Sequence, residues 1–289
     1  MEVSDVLTWQ GVDVPLRRPI MVVTLTGWFD VAGAATTALE HLVAHNESAT
    51  IGSIDSDAFY DFTQIRPEAR LDDDGERIIV WPNNDFLAVR CPDAAHDLVV
   101  LTGVEPHVRW RTYVQCLLAA FTRTQCEAIV TVGAAADAIP HTRIPTVVGS
   151  TVDPTLARTL GLSRPTYQGI TGVVGVIQAE FEKSDLPAIS LRVGVPHYLG
   201  NAQHPQSSAA LLRHLEHVLG VPTRHALLND DIERWKSLHD DAVSEDDRAL
   251  DYVRMLELEF DRRAEANIPS GEDLAAEFQR YLDENRPDS

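Results

Sequence analysis

Apolar, β-branched runs recur through the first two thirds of the chain, at Ile20–Thr26, Thr50–Ile54, Ile78–Trp81, Phe86–Arg90, Asp97–Gly103, Ala128–Gly133, Thr146–Thr151 and Ala188–Pro196. Each predicts a strand. Between them the apolar positions return at helical spacing. Val31–Leu39, Pro154–Leu160, Thr171–Lys183 and Ser207–Leu219 read as helices, as does the stretch carrying Trp110, Val114, Leu117, Leu118 and Phe121. Pro106 suits a first-turn position, Pro154 opens the short helix and Gly161 can end it. Runs as continuous as Ile20–Thr26 belong to strands covered on both faces. Strands alternating with helices predict an α/β fold, a three-layer α/β/α sandwich with a mainly parallel sheet. Ile78–Trp81 and Phe86–Arg90, joined by Pro82-Asn83-Asn84-Asp85, predict an antiparallel hairpin.

The pattern changes near Gly220-Val221-Pro222. From Thr223 onward there is no strand candidate, and nineteen acidic residues face nine basic ones. Three amphipathic stripes follow: Ile232, Trp235 and Leu238; Leu250, Val253, Leu256 and Phe260; Leu274, Phe278, Tyr281 and Leu282. Ser244-Glu245-Asp246-Asp247 and Ser270-Gly271-Glu272-Asp273 read as helix starts, a capping hydroxyl followed by acids in the first turn. The chain thus divides into an α/β core over 1–222 and an acidic helical extension over 223–289. The extension is expected either to fold its first two stripes onto the core or to serve as a docking arm for a protein partner. Ala275–Leu282, beyond Ile268-Pro269, suits either role.

Composition narrows the partners. The formal charge of −20 repels phosphate backbones and anionic lipid, so neither nucleic acid nor membrane is expected. No apolar run approaches the ~18 residues that cross a bilayer. Met1–Asp5 has none of the basic and apolar character of a signal peptide. Cys91, Cys116 and Cys126 are odd in number and never spaced Cys-x-x-Cys. A reduced, cytoplasmic protein without metal, disulfide or cofactor is expected. Lys183 and Lys236 are the only lysines, and neither follows a glycine-rich loop. That disfavours P-loop and Schiff-base chemistry.

Candidate chemistry gathers on loops that follow strands. Gly27-Trp28-Phe29-Asp30 turns from strand to helix, where α/β proteins place ligands. Gly27 permits the turn, Asp30 is placed to cap the helix, and Gly33, Ala34 and Ala35 allow close backbone approach. Gly103-Val104-Glu105-Pro106-His107 runs on to Arg109, offering a base and an anion clamp, or simply charge complementarity at a helix end. Pro140-His141-Thr142-Arg143-Ile144-Pro145 is stiffened at both ends and carries a histidine and an arginine suited to a carboxylate or phosphate. It suits a subunit contact equally well. Tyr167–Gly175, with Gly169, Thr171 and Gly172, leads into a helix whose amides can receive an anion. Its Gly-x-x-Gly-x-x-Gly spacing matches neither nucleotide fingerprint. Asp55, Asp57 and Asp61 can be read as a cation site, although a surface loop buttressed by Phe59, Tyr60 and Phe62 fits better. His197 and Tyr198 sit where they can line the same pocket. There is no Gly-x-Ser-x-Gly elbow and no His-Glu-x-x-His.

Taken in order, Gly27–Gly33, Phe59-Tyr60-Asp61-Phe62 with Arg66-Pro67, Gly103–Pro106 with Arg109 and Trp110, Pro140–Pro145, and Gly169–Gly175 resemble the proteasome assembly chaperone 2 family. The resemblance spans about residues 20 to 200. It implies a nucleoside-phosphorylase-like α/β/α sandwich and self-association, a trimer being favoured, and the helical tail resembles the actinobacterial branch. Eukaryotic relatives dock on proteasome rings through a C-terminal hydrophobic-tyrosine-x tail, which Arg286-Pro287-Asp288-Ser289 does not match. Two functions follow as expectations. The first is a non-enzymatic, homo-oligomeric assembly or adaptor protein, with a protein partner docking on the C-terminal helices. The second is an enzyme or sensor for an anionic, phosphorylated or nucleoside-like ligand. In that case Asp30, Glu105 or His141 would be the catalytic group, Arg109 and Arg143 would hold the anion, and Gly27, Trp28, Thr142, Gly169, Thr171 and Gly172 would complete the site.

Overall fold

The computed structural model describes residues 1–11, 15–200 and 202–266. In chain order its elements are α1 (Val3–Val6), β1 (Leu7–Trp9), β2 (Ile20–Thr26), α2 (Ala34–Ala44), β3 (Glu47–Ile54), β4 (Glu68–Leu71), β5 (Arg77–Val80), β6 (Asn84–Arg90) and β7 (Leu98–Val104). There follow α3 (Trp110–Thr124), β8 (Ala128–Asp137), β9 (Val147–Ser150), α4 (Pro154–Leu160), α5 (Val173–Lys183), β10 (Ala188–Pro196), α6 (Pro205–Leu219), α7 (Asn229–Ser244) and α8 (Asp247–Ala266). Two compact units result. One joins Met1–Asp137 to Ile144–Trp235; the other joins Ala138–Arg143 to the helical segment that begins at Lys236. The stripe Leu274–Leu282 and the helix start at Ser270 lie outside the described residues.

In the first unit eight strands form one sheet, ordered β1-β3-β6-β7-β2-β8-β10-β9. Its centre is parallel, β2 pairing with both β7 and β8, and β10 with β8. Both margins are antiparallel. Strand periodicity then sorts the side chains of β2 onto two faces. Met21, Val23 and Leu25 pack with Val114, Leu117 and Phe121 of α3 and Ile177 and Phe181 of α5. Ile20 and Val22 pack with Leu39 and Leu42 of α2 and Leu211 and Leu215 of α6. Those two cores make the three layers of the expected sandwich.

Local signals set several boundaries as the sequence predicts. Asp153 accepts from the amides of Thr155 and Leu156 at the start of α4, Pro154 follows it, and Gly161 ends the helix in the left-handed region. Other expectations change. β5 does not pair with β6. It pairs with β4 in a separate two-stranded hairpin, closed by Asp72–Glu76, where the Asp72 carboxylate accepts from the amides of Asp74 and Glu76. The real turn is the acidic run with Gly75 at φ +81°, while Pro82–Asp85 carries the chain into the main sheet. Gly33 serves a conformation, not a close approach: it stands at φ +63° with open space where a Cβ would be. Fully buried Ala34, Ala35 and Ala38 provide the closeness instead. The helix after Glu245 is capped by Asp246, whose carboxylate accepts from Arg248, whereas the Ser244 hydroxyl turns back to Asp241.

The core carries one polar irregularity. The Tyr113 hydroxyl is fully buried against Phe59 and has no hydrogen-bond partner among the described residues. Such a group costs about 1–3 kcal/mol. Tyr113→Phe is therefore expected to raise stability by about 1 kcal/mol in urea denaturation. A loss of similar size would show that the hydroxyl has a partner after all.

Candidate functional site

Three loops of the first unit meet around Glu105, two that follow β2 and β7 and one that leads from α4 into α5. One carboxylate oxygen accepts from the Trp28 amide at 2.9 Å, the other from the Val173 amide at 3.1 Å. Glu105 therefore ties the turn after β2 to the first residue of α5, and its negative charge lies at that helix's positive end. Of the amides expected to receive an external anion, that of Val173 already holds an internal one. Gly27 is required by this contact: a Cβ there would stand 2.7 Å from the Cβ and Oε2 of Glu105. Gly172 is nearly as close, 3.0 Å from Oε1 and 3.1 Å from the Trp28 ring.

The same loops enclose a pocket of about 620 Å³. Gly27, Trp28, Glu105, Thr171 and Gly172 line it, joined by Gln64, Ile65, Pro106, His107, Trp110 and Ile170. The segment Phe59–Ile65 is drawn in by backbone bonds from His107 and Val108 to the Phe59 carbonyl, and the Asp61 amide donates to Nδ1 of His107. That bond fixes the ring's tautomer, leaving its proton on Nε2. Trp110 anchors its indole N–H on the Pro106 carbonyl at 2.6 Å. Trp28 is 65% exposed and Ile170 85% exposed, so apolar surface continues out over the rim. From the sequence, Trp110 reads as one position of a helical apolar stripe, and Phe59, Tyr60 and Phe62 as the buttress of a surface loop. Nothing in that spacing says that Trp110, with Gln64 and Ile65 just beyond Phe62, lines a pocket with Trp28.

Other candidates lie elsewhere. Asp30 is buried beneath the start of α2, where its carboxylate accepts from the Ala35 amide at 2.8 Å and from the Thr36 hydroxyl. Burial pushes its pKa up, and those hydrogen bonds restrain the shift. It caps the helix, as expected. Arg109 is absent from the pocket lining; it takes a left-handed conformation ahead of α3 and lies 3.2 Å from the Met1 sulfur. Gly169 is likewise outside the lining, beside the Tyr167 hydroxyl, which donates to the Ile170 carbonyl. Asp55 and Asp61 are engaged locally, by the Asp57 amide and by Thr63. The Thr63 and Gln64 hydrogen bonds lower the Asp61 pKa to about 2. Nδ1 of His197 lies 3.1 Å from the Asp137 carbonyl.

His141, Thr142 and Arg143 belong to the second unit, where acids of α7 and α8 hold them. Nε2 of His141 is 3.1 Å from Asp240, and the Thr142 hydroxyl donates to Glu257. Arg143 makes a two-pronged pair with Asp261, at 2.8 and 2.9 Å, and reaches Glu257 at 3.1 Å. Such forked pairs are the strong, geometrically specific kind. Burial lowers the His141 pKa, and Asp240 partly restores it. On α8 the Val253–Leu256 stripe is buried as patterned, whereas Leu238 of α7 is 68% exposed.

Fold and rim together define a class: a three-layer α/β/α protein whose loops at one sheet edge are stapled by a carboxylate around a tryptophan-walled pocket. The chain belongs to the PAC2 family, whose model matches residues 24–243. A PAC2 family protein from Streptomyces avermitilis is 36% identical, with 81% of this chain and 99% of that chain covered and a TM-score of 0.76. A proteasome-assembly chaperone homologue from Mycobacterium tuberculosis is 35% identical over 81% of this chain and 99% of its own, at a TM-score of 0.73. A protein of unknown function from Corynebacterium glutamicum, 20% identical, shares the fold over 91% of this chain and 99% of its own, at a TM-score of 0.82. Comparison with curated proteins finds no match. No described helix is long and apolar enough to cross a membrane.

Proposed function

We propose that this chain is a non-enzymatic, homo-oligomeric assembly or adaptor protein of the cytoplasm, and that its Trp28–Trp110 pocket receives an apolar side chain of a protein partner. The observation that carries this reading is the use made of the pocket's two titratable groups. Glu105 is engaged by two backbone amides and His107 by a third. Both act as structural ties, Glu105 joining the Trp28 turn to the start of α5 and His107 holding the Asp61 amide, which supports a role in shaping the pocket over one in chemistry. The exposed Trp28 and Ile170 beside a recessed apolar floor fit the anatomy of a binding hot spot. The Mycobacterium tuberculosis relative named as a proteasome-assembly chaperone homologue supports a proteasome subunit as the partner, and self-association as a trimer is the form we expect.

The test uses purified actinobacterial proteasome subunits as the partner. The full chain should bind them, and Trp28→Ala should weaken binding at least tenfold, as loss of a tryptophan anchor commonly does. Light scattering should return three times the 31.9 kDa chain mass. Absence of binding, or equal binding by Trp28→Ala, would remove the pocket from this role. A mass of one chain would remove the oligomer.

A further inference from the structure

A second concavity of the first unit lies between α6 and the lead-in to β9, with a volume of about 280 Å³. On the helix side Ala210, Arg213, His214 and His217 fall at i, i+3, i+4 and i+7, one stripe of an α-helix. Opposite them, Ile144 and Val147 supply apolar walls. Ala210 is small enough to leave the floor open. Three basic side chains thus face one slot in a chain of formal charge −20. No acid is among the described residues that line it. Glu216, the nearest acid in sequence, is turned away to the amide and hydroxyl of Thr223 and to His225.

We infer that this slot is a binding site for a small anion, a carboxylate or phosphate carried on a short apolar body. A concavity lined by three basic groups and no acid favours an anionic occupant. The rings of His214 and His217 have centroids 6.3 Å apart. Nε2 of His214 is buried with no hydrogen-bond partner among the described residues, an arrangement that calls for an explanation. Burial and the neighbouring His217 lower the His214 pKa. An oxyanion acts the other way: Arg213 pairs with it directly, and its negative charge favours the protonated His214 ring. The facing stretch Ile144–Val147 adds only apolar side chains to the lining, so Arg213, His214 and His217 set the charge of the site. Arg213 at the rim opposes a metal cation. The volume lies just under the range of drug-sized pockets, which fits a fragment-sized ligand and excludes a dinucleotide.

The experiment titrates the full chain with inorganic phosphate and, separately, with hexanoate, following the histidine ring resonances by NMR from pH 5.5 to 8. Assignment comes from His214→Gln and His217→Gln. Saturable shifts of both rings are expected, with the His214 pKa rising by about one unit, equivalent to about tenfold tighter binding of the protonated form. Saturation by phosphate alone identifies a free phosphate group as the ligand chemistry, and saturation by hexanoate alone identifies an apolar carboxylate. Arg213→Ala, an exposed position on α6, should weaken either response at least tenfold while leaving the thermal midpoint unchanged. Shifts that stay linear to 50 mM, shifts identical in Arg213→Ala, or saturation by zinc chloride in place of both anions would each overturn the assignment.

Discussion

Replacing Glu105 by alanine is expected to cost about 3 kcal/mol of folding stability and to loosen the pocket while leaving the central sheet intact. The carboxylate makes two hydrogen bonds to backbone amides, at 2.9 and 3.1 Å, and bonds to a charged acceptor are worth about 1.5–3 kcal/mol each. One of those amides opens α5, so the helix also loses a favourable terminal charge. Glu105→Gln should fall between wild type and alanine, because its oxygen can satisfy one amide while its NH₂ confronts the other. Urea denaturation followed by tryptophan fluorescence reads the loss. Hydrogen exchange should accelerate at Trp28 and Val173 before it does at Met21 or Val99. Variants within ~0.5 kcal/mol of wild type, the ordinary range for surface substitutions, would show that Glu105 is free for chemistry and would revive the enzymatic reading.

Asp97→Asn should be at least as damaging, again by about 3 kcal/mol. Asp97 is 1% exposed and accepts from four donors: the amides of Arg17 at 2.8 Å and Cys91 at 3.0 Å, and the guanidinium groups of Arg17 at 3.1 Å and Arg90 at 3.4 Å. It straps the segment entering β2 to the end of β6 and the start of β7. An asparagine turns one acceptor into a donor facing N–H groups, and removes the charge that pairs with the guanidinium groups of Arg17 and Arg90. The variant should also change the acid limb of the stability curve. Burial alone would raise the Asp97 pKa, but the Arg17 and Cys91 bonds outweigh it and the folded value lies below the ordinary one. With a depressed folded pKa, the stabilisation is fully present above the unfolded value of about 3.9 and is lost as pH falls through the folded value. The gap in thermal midpoint between wild type and Asp97→Asn should therefore be widest near neutrality and narrow below about pH 4. A gap that stays constant with pH would show that the carboxylate's charge is not what the strap uses.

The elements of the core were legible where burial on both faces leaves a continuous apolar run, as in Ile20–Thr26 and Ala188–Pro196, or where a cap acts within four residues, as at Asp153 and Gly161. The pairing of Ile78–Val80 was not. Those residues are as apolar as a core strand, yet all are exposed, because run composition does not say whether a layer will cover it. The candidate site divides the same way. Gly27, Trp28, Glu105, Thr171 and Gly172 share one pocket because each follows a strand or precedes a helix at the same sheet edge, which topology alone predicts. Arg109 is missing from that lining although it is only four residues beyond Glu105. Its left-handed turn belongs to the approach to α3.

Sequence alone determined what acts over short range or by repetition: the alternation of strands and helices, the capping residues, the acidic tail and membership of the PAC2 family. Tertiary structure decided which charges meet. Glu105 finds the Val173 amide 68 residues away, Asp97 finds Arg17 across 80, and Arg143 finds Asp261 across 118. A charged side chain has many partners of equal chemical merit along a chain, and only the folded path of the backbone brings one of them to within hydrogen-bonding distance.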